Sequence, residues 1–159
     1  MDIRLELIFV AKLFIALLLG ALVGTERERH GNAAGIRTYA AVSLGAALFT
    51  LIGIHSTDET AASRIVANIV TGIGFLGAGI IYKDNAKGFT HGLTTASTVW
   101  ATAAVGVAVA YSMFIIAICA TIAIYFLLAL HHFEWYGKIK RHWAKKHTHE
   151  EANTNDYEG

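Results

Sequence analysis

Apolar residues in this chain come in long blocks separated by short polar clusters. The first block runs from Leu7 to Gly24 and ends in Thr25-Glu26-Arg27-Glu28-Arg29-His30. The second, Ile36 to Ile54, leads into the polar stretch HSTDETAAS, and the third covers 65–82. From Leu93 to Leu130 the chain is apolar for 38 residues. As one helix that block would be about 57 Å long, far more than the ~30 Å hydrocarbon core of a bilayer. It therefore divides, and the polar pair Tyr111-Ser112 places the break between spans 93–110 and 112–130. A soluble domain of this size rarely repeats such blocks. The pattern predicts an all-α polytopic membrane protein with about five transmembrane helices.

Composition sharpens this picture. The chain is 55% hydrophobic and only 16% charged, and most of the charge lies in the tail and three short patches. There is no proline, so no span carries a proline kink. The single Cys119 excludes an intrachain disulfide. The opening MDIRLELIFV carries acids in place of a basic leader, so no cleavable signal is expected. No Ser/His/Asp set, paired catalytic carboxylates or cysteine nucleophile can be assembled, and nothing reads as nucleic-acid recognition. The expectation is a non-enzyme with no cofactor.

Charge distribution orients the spans. Arg27, Arg29, Arg37, Lys83, Lys87 and the tail fall on one side of a five-span arrangement, with only Arg4 and Arg64 opposite. The positive-inside rule makes the first side cytoplasmic and the N-terminus external. Residues 131–159 read as a basic interfacial segment, with Trp135, Tyr136 and Trp143 among Lys and Arg, followed by a disordered cytoplasmic tail. The tail histidines fit no closed zinc spacing.

The third block, Arg64 to Ile81, is the richest in glycine. Gly72-x-Gly74-x-x-Gly77 matches a dinucleotide-binding pattern, but it sits inside an apolar run, and the expected acidic position falls among Ala96, Ser97 and Thr98. On a helix, Gly72 and Gly79 share one face with Asn68 and, more loosely, Arg64; Gly74, Gly77 and Ala78 lie roughly opposite. Small residues admit close backbone approach in lipid, so these glycines predict a central helix packed between two partners. Plain packing and a functional polar site both fit the Asn68 face. A repeat at a constant offset of 57 relates Leu19-Gly20-Ala21 to Leu76-Gly77-Ala78, and Gly31, Gly35, Thr38, Val42 and Ala46-Ala47 to Gly88, Gly92, Thr95, Val99 and Ala103-Ala104. It predicts two parallel helix–loop–helix units followed by one further helix.

Gly24-x-Glu26-Arg27, Ala34-Gly35-Ile36-Arg37-Thr38, Arg64-Ile65, the run Gly72 to Gly79 and Gly92-Leu93-Thr94-Thr95-Ala96 with Trp100 together resemble the MgtC/SapB family. The resemblance covers roughly Leu7 to Leu130. It implies a bacterial inner-membrane protein with about five spans, linked to adaptation to low magnesium and, in some members, to virulence. It also implies a regulatory role through association with other inner-membrane proteins or with itself. The alternative is a homo-oligomeric carrier or channel for Mg²⁺ or another cation, with a path built from Asn68, Thr71 and Thr94 or Thr95. Larger members add a folded cytosolic C-terminal domain, and a short form lacking it is expected here. The family's acid three or four residues before Arg64 is replaced by Ala61 and Thr60, with Asp58 shifted outward.

The candidate polar site comprises Glu26, Arg27, Arg37, Thr38, Arg64, Asn68, Thr94 and Thr95. Glu26, Arg27 and Arg37 meet at a bilayer boundary, where a carboxylate–guanidinium network lowers the penalty of charge near lipid. Glu28, one helical step aside, is expected to be a bystander. Asp58 and Glu59 are weak metal candidates, being two acids without further oxygen ligands.

Overall fold

The structure, a computed structural model, describes residues 2–32, 34–83 and 90–130. These form helices α1 (Ile3–Arg29), α2 (Ile36–Ile54), α3 (Ala61–Ile80), α4 (Leu93–Ala110) and α5 (Phe114–Ala129). Two short strands, β1 (Tyr82–Lys83) and β2 (Thr90–His91), pair antiparallel after α3. Four helices are long and apolar enough to cross a membrane; α5, with 16 residues, is shorter. The predicted basic segment and tail lie outside the described residues. Residues 1–125 make one compact unit; a second comprises 126–159, of which the described part finishes α5.

Helices α2 and α4 occupy the spans predicted for them. Each begins after a glycine N-cap, Gly35 and Gly92, which stand one repeat offset apart. Helix α1 runs further than expected at both ends. Thr25 to Arg29 are all tolerated in a helix, and it stops only where Gly31 takes φ +65°, in the left-handed region. The Asn32 N–H then reaches the Arg27 carbonyl and the Gly31 N–H the Glu28 carbonyl, a Schellman closure. The break at Tyr111-Ser112 is where it was expected. Ser112 holds φ +62° there, a left-handed conformation that a side chain disfavours.

Helix α2 is the centre of the unit, with α1, α3 and α4 packed around it. Glycines make the approach possible. A Cβ on Gly20 of α1 would stand 2.5 Å from the Tyr39 carbonyl oxygen, and one on Gly24 2.5 Å from the Ile36 Cα. A Cβ on Gly106 of α4 would collide with the Ser43 carbonyl, and one on Gly53 would stand 2.8 Å from the Ala62 Cα of α3. Without a hydrophobic drive between helices in lipid, this backbone-to-backbone contact holds the spans together.

The glycine-rich α3 is not the central helix. Only 6% of its apolar window is buried, against 56% for α4. A Cβ on Gly72, Gly74 or Gly79 would meet nothing within 4 Å, while one on Gly77 would touch the Ala96 Cβ at 3.6 Å. Glycine content announced that approach is possible along α3, but of these four glycines only Gly77 has a helix opposite it among the described residues.

At the far end of the bundle Lys12 of α1 reaches α4. Its Nζ donates to the Ala110 carbonyl at 2.8 Å, satisfying an orphan acceptor at the C-terminus of α4.

Gly106→Val should therefore abolish accumulation of folded protein, because two backbones must separate to admit the side chain. Gly74→Ala should leave the melting temperature in detergent unchanged or raise it by the helix propensity of alanine, about 1 kcal/mol. Ser112→Gly should raise it too, by relieving roughly 1–2 kcal/mol of left-handed strain. Thermal melts of the three variants check the assignment of α2 as the packing centre.

Candidate functional site

The end of the bundle that carries the α1–α2 and α3–α4 connections holds three of the five arginines among the described residues, Arg27, Arg29 and Arg37. Arg27, on the last turn of α1, is half-buried and extends toward α4. One terminal guanidinium nitrogen donates to the Asn32 Oδ1 and to the Thr95 Oγ1, each at 2.7 Å. The Asn32 amide in turn donates to the Arg27 carbonyl at 3.2 Å, so the residue that closes α1 also aims its arginine. Thr95 is buried in the first turn of α4, and this bond joins the two helical hairpins.

Below it, Tyr39 of α2 is fully buried and its hydroxyl lies 2.7 Å from the Thr98 Oγ1. Thr98 and Thr102 donate to the Thr94 and Thr98 carbonyls, each at 2.8 Å. A ladder of hydroxyls thus runs from Arg27 into the α2–α4 contact. Each rung bonds a neighbouring hydroxyl or its own helix, which satisfies buried oxygens without water.

Glu26 faces the bundle and is 6% exposed, with His30 Nδ1 3.4 Å from its Oε1. Glu28 is not the expected bystander. Its Oε2 accepts the Ile36 N–H at 2.8 Å, and a Cβ on Gly35 would stand 2.6 Å from the same oxygen. A carboxylate from α1 therefore caps the N-terminus of α2, where the helix dipole favours negative charge. Gly35 is what leaves room for it.

Of the expected residues, Glu26, Arg27 and Thr95 are brought together at this end. Arg37, Thr38 and Thr94 are exposed there, and Arg37 makes no ion pair with Glu26 or Glu28 among the described residues. Arg37 and Thr38 instead line a polar cleft of about 440 Å³ with Glu28, Asn32 and Gly35. Arg64 and Asn68 do not belong to the cluster. Arg64 lies on the first turn of α3, at the opposite end, and pairs with Asp58. Asn68 stands further along α3, exposed beside a groove against α2. Asn32, Tyr39 and Thr98 were missed from sequence; Gly31-Asn32 after a charged helical run is the signal that could have found the first.

The Asp58 carboxylate accepts from the Thr60 hydroxyl at 2.7 Å and from the Thr60 N–H at 2.8 Å, besides Arg64. The Thr60 bonds first, then Arg64, hold its pKa below the usual carboxylate range. The displaced acid thus still reaches the arginine it is expected to serve. No group of three or more His, Cys, Asp or Glu occurs among the described residues, and Glu59 does not join Asp58 in one.

Two predictions follow from these bonds. Thr95→Val should remove a charge-assisted bond at a cost of about 1.5–3 kcal/mol, and Glu28→Ala a helix cap at about 1 kcal/mol. The bonds are independent, so the double variant should be additive in chemical denaturation. Because folding depresses the Asp58 pKa, its contribution is present above the unfolded-state pKa and is lost as pH falls through the folded one. Any stability difference between the wild type and Asp58→Asn should therefore be largest near neutrality and vanish on acidification, as melts across pH 2–7 would reveal.

Comparison with known proteins shows the family. A family model described as the MgtC family matches residues 13–134. The chain is 44% identical over 116 residues to Protein MgtC of Salmonella typhimurium, covering 73% of this chain and 49% of that protein. It is 48% identical over 93 residues to Protein MgtC of Brucella abortus, covering 58% and 38%. Against Protein SrpB of Synechococcus elongatus it is 40% identical over 107 residues, covering 60% and 59%. It spans about half the length of the first of these relatives. No solved structure matches. The chain belongs to the MgtC family.

Proposed function

We propose that this protein is a regulator of the bacterial inner membrane, linked to adaptation to low magnesium, that acts by associating with other membrane proteins and does not itself carry the ion. The observation that supports the reading is the closed hydroxyl ladder between α2 and α4. Its oxygens already have hydrogen-bond partners, and the Gly106 backbone lies against the Ser43 carbonyl, so the polar ladder inside one chain offers no space for a cation. A conduction path needs polar groups free to replace a hydration shell. The name MgtC, carried by relatives in Salmonella and Brucella, fits the magnesium link.

The charge balance supports a cytoplasmic position for the end that carries Arg27, Arg29, Arg37 and Lys83, with Asp58 and Arg64 outside. Glu26, Arg27 and Arg37 then lie at the cytoplasmic boundary of the membrane, and of the three Arg37 is the exposed one. Arg37 and Thr38, exposed over a polar cleft, are placed to meet a partner, while Arg27 and Glu26 hold the surface in shape.

Complementation of a deletion strain in low-magnesium medium tests this, with membrane levels quantified. Arg37→Ala should abolish growth rescue at normal abundance, because it removes an exposed contact without a structural bond. Glu26→Ala should also abolish rescue, while Glu28→Ala should act mainly by lowering abundance. Full rescue by Arg37→Ala would remove the site. Robust Mg²⁺ uptake by purified protein in proteoliposomes would replace the regulatory reading with the carrier.

A further inference from the structure

Helix α3 is the least covered span, and an unsatisfied polar group stands on its open side. Asn68 is exposed, and its amide makes no hydrogen bond among the described residues. Counted from Arg64, the last charge before the apolar run, it lies about 6 Å in at 1.5 Å per residue, within the outer part of a ~30 Å hydrocarbon core. An amide facing lipid at that depth lacks the water that would satisfy it elsewhere.

The surroundings of Asn68 are ordered. Ile65, Asn68, Gly72, Phe75 and Gly79 recur at alternating steps of three and four, the spacing of a seam that follows a partner helix. Phe75 is 82% exposed, and beads of open space lie over Gly72 and Gly79, where a Cβ would meet nothing. Beside the seam is a groove of about 510 Å³, lined by Ala41, Gly45 and Phe49 of α2 and Asn68, Gly72 and Leu76 of α3. Gly45 is equally open on its α2 side.

We propose that two copies of the chain pair through α3 about a twofold axis along the membrane normal. Asn68 hydrogen-bonds its counterpart, and Phe75 of each copy fills the α2–α3 groove of the other. A second copy is the occupant that these features select. A primary amide is both donor and acceptor, so one residue type satisfies itself across a twofold. The axis places both amides at the same depth without any further requirement. Knob and groove lie side by side on one surface, the self-complementary arrangement of an isologous interface. An asparagine within an apolar seam also fixes register, at the depth where slippage would leave it unsatisfied. This deepens the association reading above by naming what one face associates with.

Single cysteines at Gly72, Phe75 and Gly74, in a Cys119→Ser background, test the pairing by oxidative crosslinking in native membranes. Gly72→Cys and Phe75→Cys should give a product of twice the chain mass, at least tenfold more abundant than with Gly74→Cys, which lies on the opposite face. Asn68→Leu should lower the dimer fraction several-fold in mild detergent, with helicity and monomer melting unchanged, and Asn68→Gln should restore much of it. Equal crosslinking at Gly74→Cys, monomers at all three positions, a product of another mass, or an unchanged dimer in Asn68→Leu would each overturn the proposal. Crosslinking through α3 by a protein that also carries Mg²⁺ in vesicles would keep the dimer and remove only the regulatory reading.

Discussion

The contact between the Gly106 backbone and the Ser43 carbonyl sets the terms for the rest of the fold. In lipid a helix gains little by hiding apolar side chains, so what holds α4 to α2 is the dispersion energy of two backbones in direct contact. The same logic repeats on the other side of α2, where Gly20 and Gly24 bring α1 against Tyr39 and Ile36. Ser43 is fully buried between these approaches. A larger residue there, or a side chain on any of the facing glycines, would push α1 or α4 outward along its whole length. The burial of Val23, Tyr39, Val99 and Val105 follows from that closeness and does not cause it.

Closeness of the spans has an electrostatic consequence at their ends. Once α1 and α4 are both drawn onto α2, the half-buried Arg27 lies against the first turn of α4, and Thr95 becomes its partner. The left-handed Gly31 turns the chain so that Asn32 shares that guanidinium, and the same turn leaves Glu28 over the N-terminus of α2. Arg27 and Glu28 are thereby assigned partners by the helix geometry beneath them. Arg37 is not. It has the motif position of a network residue but remains exposed over the polar cleft, the condition on which the contact role proposed for it rests.

Much of this was legible in the order of residues. Spans α2 and α4 begin at glycines next to polar residues and end at polar pairs, so their limits could be read directly. The limit of α1 could not, because Glu26 to Arg29 are as compatible with a helix as with a loop. The largest error concerned α3. Its glycines say that a backbone is accessible, but not which backbone lies opposite, and the helical glycines pressed to clash distance against a neighbouring helix are the scattered Gly20, Gly24, Gly53 and Gly106. Glu28 was misjudged for a similar reason. Its role depends on Ile36 eight residues on, across a turn whose geometry is set by Gly31 and Gly35.

The internal repeat makes the exposure of α3 informative. Gly20 lies against Tyr39 and Ala40, and one offset later Gly77 lies against Ala96, the position equivalent to Tyr39. The two hairpins therefore share a contact, and both open their second helix with a glycine cap. They differ in how tightly they close. In the first, the small residues of α1 are pressed onto α2 to within a clash distance; in the second, Gly77 stops at ordinary van der Waals contact, and the glycines around it face outward. Loss of pressure inside the second hairpin leaves α3 with small residues, an exposed phenylalanine and a lone amide on its free side. A duplicated unit that had merely relaxed could have filled those positions with leucine, which lipid accepts without cost. In the dimer proposed above, those small and polar positions are where the helix of the second copy would lie.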